Sequence, residues 1–382
     1  MLFSLLRTPP LKHLPRQSGS IIPHKLKEKI QLNNDLLLRA ARRQPIERTP
    51  VWFMRQAGRY LPEYRAVRNT VDFLTLCKTP DLAAEVTVQP VEIVGVDAAI
   101  IFSDILVIPE AMGMELIVEE GKGGPRFPSP IRSVDAINAL KAIDPNKELR
   151  YVMDALRVAK ERLQNRVPLI GFSGSPWTLA TYMVEGKGSK NYRHIKELIF
   201  SRHQEAHSLL KKLSQSVADY LCAQVDAGAN IIQIFDTWGG ILAQEEFEEF
   251  SLQYIRQIVE QVKKKNVPVI VFCKDCGHSL KRIAAAGADV VGLDWTTDIR
   301  KARNAVGNMV ALQGNLDPTM LFSTPERIEQ GVKSILQKYG NGSGHIFNLG
   351  HGILPETPVE NVKAFIAAVK THSVQYHTKA KK

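Results

Sequence analysis

Arg55 and Arg59 stand four residues apart in the run Arg55-Gln56-Ala57-Gly58-Arg59. Two guanidiniums at that spacing can converge on one anion, because each forks onto a carboxylate or phosphate through paired N–H groups. Arg65 and Arg68 follow closely, so the same run also reads as a solvated basic helix face. Asp104 lies just past the apolar run Ala98–Phe102. A carboxylate there can accept ligand N–H groups or stabilise a cation, or it can cap the next helix. Asp236 and Asp294 carry the same ambiguity. His351, in Gly350-His351-Gly352, can transfer a proton or bind a carboxylate, or it is a turn histidine with backbone freedom on both sides.

Other chemical motifs fall short. Cys273-Lys274-Asp275-Cys276 has redox or zinc spacing, but no second pair completes four ligands, so a structural role is favoured. Gly171-Phe172-Ser173-Gly174-Ser175 is one residue out of register for a nucleophile elbow. Gly121–Gly124 lacks the ending of a phosphate-binding loop. No Mg²⁺ or Zn²⁺ cluster is evident from the sequence.

The elements that must position these residues repeat. Gly95-Val96-Asp97, Gly228-Ala229-Asn230 and Gly287-Ala288-Asp289 each lead into a short apolar run that ends near an aspartate. The glycines suit left-handed helix ends, and runs apolar on both faces suit buried parallel strands. With Val51–Met54, Pro168–Phe172, Pro268–Cys273, Met309–Gln313 and His345–Leu349, eight strands are predicted. Helical patterns cover 80–94, 134–163, 190–226, 242–265, 278–286, 297–304, 325–338 and 358–370, and the stretch 190–226 is long enough for two helices. Eight alternating units predict an α/β fold, a single (β/α)8 TIM barrel with a hairpin or flap at Glu115–Pro130 after strand two. An open doubly wound sheet is the alternative, but no phosphate-binding glycine fingerprint follows the first strand. In a barrel the site lies at the C-terminal strand ends. There the sequence places Arg55–Arg59, Asp104, Asp236-Thr237-Trp238, Lys274-Asp275, Asp294-Trp295 and His351.

The 382 residues carry a net charge of +11, with 44% hydrophobic and 23% charged residues, which argues against a disordered chain. Five cations without an acid in residues 1–27, and three at the C-terminus, leave only +3 for residues 28–378. A nucleic-acid partner is therefore not expected. Four cysteines are too few for a disulfide scaffold, and no apolar run approaches the length of a membrane span. The expected organisation is a flexible or targeting extension at 1–29, a barrel at 30–377 and a basic tail at 378–382. A cytoplasmic location is expected, or a plastid or mitochondrion if residues 1–27 are a transit peptide.

Four blocks carry a resemblance. Pro50–Arg65, Ile100–Leu106, Gly171–Gly186 and Asn348–Gly352 resemble, in order and spacing, the signatures of the uroporphyrinogen decarboxylase family. The resemblance covers about residues 30–377. It implies a cofactor-free, metal-free barrel, usually a homodimer, that removes CO₂ from the four acetate side chains of uroporphyrinogen III to give coproporphyrinogen III. It implies substrate binding by Arg55, Gln56, Ala57, Gly58 and Arg59, with the two arginines on carboxylates. Asp104 would accept the pyrrole N–H groups, Phe102 would line the macrocycle face, and Tyr64 sits where an aromatic is usual. Tyr182 and His351 would lie near reacting or propionate groups, and Thr237 would supply a hydroxyl. Asp104, Arg55, Tyr182 and His351 are the implied catalytic residues. The resembling alternative is a zinc-dependent methyltransferase with a His-x-Cys pair after strand five and a later Cys. Here that stretch is Lys274-Asp275-Cys276, and no Cys follows. A non-catalytic tetrapyrrole-binding protein is the other alternative, against which the intact set of polar residues argues.

Overall fold

The computed structural model describes residues 32–119 and 124–377. The expected extension at 1–29, the tail at 378–382 and most of the turn Gly121–Gly124 lie outside the described residues. Among the described residues there are nine strands: β1 (Ala99–Ile100), β2 (Ile117–Glu119), β3 (Gly124–Arg126), β4 (Leu169–Gly174), β5 (Ile231–Asp236), β6 (Val269–Cys273), β7 (Val290–Gly292), β8 (Ala311–Gln313) and β9 (His345–Ile346). Seven of them form one parallel sheet in the order β1-β4-β5-β6-β7-β8-β9. Their Val- and Ile-rich runs are buried on both faces, as strands wrapped by helices must be. Gly228 caps its helix, and Gly95 and Gly287 lie two and three residues past theirs; all three precede strands and have positive φ, where a side chain would be strained.

The sheet closes through the first predicted strand, which is much shorter than Val51–Met54. Val51 makes a single parallel bridge to Phe347. Phe347 N–H donates to the Pro50 carbonyl at 2.8 Å, and Asp97 N–H donates to the Val51 carbonyl at 2.7 Å. The stretch thus bonds to both edges and completes an eight-stranded barrel. It cannot run further because the chain turns at Met54–Arg55, where Arg55 adopts φ +62°. Asp97 is 1% exposed and fastens this join. Its carboxylate accepts both Arg48 guanidinium nitrogens at 2.6 Å, the Val51 N–H at 2.9 Å and Asn34 Nδ2 at 2.8 Å. Inside the barrel, Trp52 Nε1 donates to Gln313 (2.9 Å), and Gln313 Nε2 donates to Gln233 (3.0 Å). The polar chain crosses from the first strand through β8 to β5.

Several boundaries differ from expectation. The pattern at 134–163 splits into helices Val134–Ala139 and Arg150–Leu163. Pro145 lies between them and disfavours helix at itself and at the residue before it. The pattern at 190–226 holds two helices, Arg193–Ser201 and His203–Ala227. The pattern at 242–265 contains a π turn, Glu248–Leu252, between Gln244–Phe247 and Gln253–Lys263. The predicted strand from Met309 begins only at Ala311, and Met309 is exposed. The hairpin is present as antiparallel β2 and β3. Its exit is tied to helix Pro176–Glu185 by Phe127 N–H to the Gly186 carbonyl and Ile131 N–H to the Met183 carbonyl. No helix among the described residues is long and apolar enough to cross a membrane.

Replacing Asp97 with Ala leaves Arg48 without its carboxylate and frees the Val51 N–H. Urea denaturation should show a loss of about 3 kcal/mol, the usual cost of removing one partner from a buried ion pair. A loss below ~1 kcal/mol would show that closure does not depend on Asp97.

Candidate active site

Arg55 is the electrostatic centre of the strand-end surface. Burial is the larger influence on the Asp104 carboxyl, the Tyr182 phenol and the His351 imidazole, and the Arg55 guanidinium pulls all three down. The fold therefore brings together the four residues expected to be catalytic. The strained backbone at Arg55, at φ +62°, redirects the chain where the first strand ends. Its side chain then runs across Gly352, where an added Cβ would lie 2.5 Å from Arg55 Cδ. Gly350 is pressed similarly against the Trp295 backbone, where a Cβ would collide with the amide nitrogen. Neither glycine beside His351 has positive φ. The expectation of backbone freedom there is replaced by close approach: the glycines let the last loop pack onto Arg55 and Trp295.

Arg55 and Arg59 are both exposed, and neither guanidinium has a hydrogen-bond or ion-pair partner among the described residues. Arg65 differs, because it is spent on the backbone carbonyls of Arg59 and Tyr60. Arg68 likewise bonds the Val71 carbonyl. Two uncompensated guanidiniums at the mouth of a barrel could receive carboxylates or phosphates. The Gln56 side chain points the other way. It is fully buried, accepts from Phe53 N–H and donates to the Ala98 carbonyl at 2.9 Å, so it braces the loop against strand β1. Ala57 and Gly58 are partly exposed between the two arginines.

Asp104 is partly buried, and Leu106 N–H donates to its Oδ1 at 2.7 Å. The other oxygen has no protein partner among the described residues. Burial pushes the carboxyl above its ordinary range, against the opposing effects of the Leu106 N–H and Arg55. A ligand offering N–H groups or positive charge would relieve that cost. Phe102 stands beside it, 5.6 Å from the Tyr64 ring and 5.8 Å from Phe73. Across the mouth, Tyr182 packs on Trp238 at 6.0 Å, and Trp238 on Tyr192 at 5.2 Å. Burial and then the Asp104 charge raise the Tyr182 phenol, which keeps it a neutral donor. Thr237 is partly buried in the loop after β5, with no hydrogen bond to its hydroxyl among the described residues.

His351 lies 6.2 Å from Phe272 and 6.3 Å from Trp295. Burial first, then Arg55 and Lys274, lowers its pKa to about 4. It is a neutral imidazole near pH 7. Two other aspartates resolve to structural work. Asp236 is fully buried and accepts hydroxyls from Ser175 (2.6 Å), Thr178 (2.8 Å) and Ser251 (2.6 Å). Asp294 accepts Asp275 N–H and Thr296 N–H and Oγ. Cys273 and Cys276 are buried, and no His, Asp or Glu joins them in a ligand cluster among the described residues.

The sequence profile described as Uroporphyrinogen decarboxylase (URO-D) matches residues 32–372. The chain belongs to the uroporphyrinogen decarboxylase family. Proteins named uroporphyrinogen decarboxylase from Chlorobium phaeovibrioides and Chloroherpeton thalassium are each 56% identical over 91% of this chain, covering 100% and 99% of their own lengths. One from Pseudoalteromonas atlantica is also 56% identical, over 91% of this chain and 99% of its own length. Among solved structures, a methyltransferase from Methanosarcina mazei superposes with a TM-score of 0.72 at 22% identity, covering 89% of this chain and 98% of that one. That likeness shows the shared barrel fold.

Sequence reasoning gave no role to Lys274, Trp295, Tyr192 or Phe73. Lys274 lies 5.9 Å over the Trp295 ring and pairs with Asp275 at 2.6 Å, forming a charged wall near His351. Lys274 and Trp295 sit at strand ends, which was the available signal. Phe73 opens a short helix and Tyr192 immediately precedes another, and no local pattern announces their approach to this mouth.

The lowered pKa of His351 ties stability to pH. An unfolded histidine gains its proton near the ordinary value of 6.5, whereas the folded one does so only near 4. The contribution is present above about 6.5 and fades as pH falls toward about 4. His351→Asn should flatten the loss of urea midpoint between pH 7 and pH 5 relative to the parent. Identical slopes would refute the buried neutral imidazole.

Proposed function

We propose that this chain is a cofactor-free uroporphyrinogen decarboxylase that converts the four acetate side chains of uroporphyrinogen III to methyl groups, giving coproporphyrinogen III. As a member of its family it is a carboxy-lyase of tetrapyrrole biosynthesis. The observation that carries the site assignment is the pairing of two uncompensated arginines with one half-satisfied, partly buried aspartate at the same mouth. A substrate with a rim of carboxylates and a centre of pyrrole N–H groups complements both. Arg55 and Arg59 take rim carboxylates, and Asp104 accepts the central N–H groups. Phe102, with Tyr64 behind it, lines one face of the macrocycle.

The chemistry follows from that placement. Protonation of a pyrrole ring carbon makes the ring an electron sink. Asp104 stabilises the resulting cation. The C–C bond to the carboxylate breaks, its electron pair neutralises the ring, and CO₂ leaves. A second proton reaches the exocyclic CH₂ carbon, and the ring proton departs, so each turnover consumes one proton and releases one CO₂. The neutral donors at hand are the Tyr182 hydroxyl, the His351 imidazole and water. Thr237 offers a hydroxyl to a side-chain carboxylate on the β5 side.

The same reading makes the protein a cytoplasmic homodimer without a nucleic-acid or membrane partner. Its named relatives are bacterial proteins of nearly the same matched length.

Incubation of the purified protein with uroporphyrinogen III under anaerobic conditions should yield coproporphyrinogen by chromatography. Unchanged substrate would overturn the assignment. Asp104→Asn should lower kcat by roughly a hundredfold or more with its circular dichroism spectrum intact. Near-normal turnover would remove Asp104 from its central role. Arg59→Gln should raise KM roughly tenfold while changing kcat less, because its carboxylate contact persists through the reaction.

A further inference from the structure

The outer wall of the barrel carries a cluster that the decarboxylation does not use. His203 and His207 lie one turn apart at the start of helix His203–Ala227, so both rings project from one face. Glu249 reaches them from the π turn Glu248–Leu252, whose extra residue per turn shifts the helix face at that point. Glu249 Oε1 lies 2.8 Å from His203 Nε2 and 3.2 Å from His207 Nε2. The three ligand atoms are all within 4.8 Å of one another.

We propose that His203 Nε2, His207 Nε2 and a Glu249 carboxylate oxygen form a divalent transition-metal site, of the class that takes Zn²⁺ or Co²⁺. Donors on a tetrahedral ion, with bonds of about 2.0–2.1 Å, stand roughly 3.3 Å apart. The cluster needs only small side-chain shifts to reach that spacing. Two imidazoles and one carboxylate select borderline ions over Mg²⁺ or Ca²⁺, and three protein donors leave a position for water.

The surroundings hold the ligands in place. His207 Nδ1 is 2.6 Å from the Tyr254 hydroxyl, and its ring stacks on Phe250 at 5.1 Å and 20°. The His203 ring meets Phe250 edge-on at 5.3 Å. Without metal, His207 Nε2–H can donate to Glu249 while Nδ1 accepts from Tyr254. With metal on Nε2, the proton moves to Nδ1, which donates to the Tyr254 oxygen. Tyr254 is therefore a positioning residue of the kind that orients metal-bound histidines. The side chains of His203 and Glu249 are about half exposed, so an ion can enter from solvent. The bound ion would join two helices that follow different strands. The same π turn supplies Ser251 to buried Asp236, so the ion would fasten a segment already anchored behind the active-site mouth.

The test uses the full chain, stripped with a chelator and titrated with Co²⁺ and then Zn²⁺. One equivalent of Co²⁺ per chain should bind with visible absorption typical of a low-coordinate nitrogen and oxygen site, be displaced by Zn²⁺, and raise the thermal midpoint. His203→Ala and Glu249→Gln should each weaken Co²⁺ binding at least tenfold, and Tyr254→Phe roughly tenfold. Cys276→Ser should leave it unchanged. Circular dichroism checks that each variant folds. Absence of binding at millimolar Co²⁺ overturns the proposal. So does stoichiometric binding that survives both His203→Ala and Glu249→Gln, or a thiolate charge-transfer band lost in Cys276→Ser.

Discussion

Asp97 fixes the place of the first strand, and the rest of the site depends on that. The strand offers the barrel a single bridge, so its backbone bonds alone are few. One buried carboxylate gathers Arg48, Asn34 and the Val51 amide at the seam between β9 and β1. A buried carboxylate is costly unless its oxygens are filled, and here four N–H groups fill them. Immediately beyond the seam the chain turns through Arg55. A slip of the first strand would move Arg55 and Arg59 together and detach the loop that Gly352 lets pack against Arg55.

The electrostatics at the mouth are deliberately unbalanced. Elsewhere on the surface arginines find carboxylates, as in Arg39 with Asp35 and Glu47. Arg55 and Arg59 have none among the described residues. Asp104 is half satisfied in a partly apolar recess, and His351 is neutral because burial and two nearby cations oppose its proton. The exposed guanidiniums lack a protein counter-charge and burial disfavours the Asp104 carboxylate, so a polyanionic ligand with central N–H donors would answer both. Under the proposed reaction, such a preset field would stabilise charge as it develops, because the groups need not reorganise. Asp236 shows the contrast. It lies at the end of the next strand but one along the sheet, and three hydroxyls saturate it, so it holds loops together and presents no charge to a ligand.

The barrel was legible because its signals are local. Gly-capped helices followed by doubly apolar runs recur with the period of one β/α unit, and seven of the eight predicted strands pair in sequence order. The first strand is shorter than its apolar run Val51–Met54 suggests, because that run does not reveal where a left-handed residue turns the chain. The helix expected at 134–163 overran Pro145 for a related reason: the apolar periodicity persisted on both sides of a break.

The sequence by itself determined the fold class, the family and the list of polar residues at the strand ends, since these depend on periodicity and on contiguous motifs. Only the tertiary structure decided which of those residues are available. Gln56 sits inside the most specific motif, yet its side chain braces β1, whereas Arg55 and Arg59 beside it remain unpaired among the described residues. Asp104, Asp236 and Asp294 occupy equivalent positions in the repeat, and only their hydrogen-bond partners separate them. Asp104 has one local N–H, from Leu106, whereas Asp236 is filled by hydroxyls 15 to 61 residues away and Asp294 adds the Asp275 N–H to local Thr296. Burial, charge compensation and the meeting of His203 with Glu249 are set by packing between elements, which no local pattern encodes.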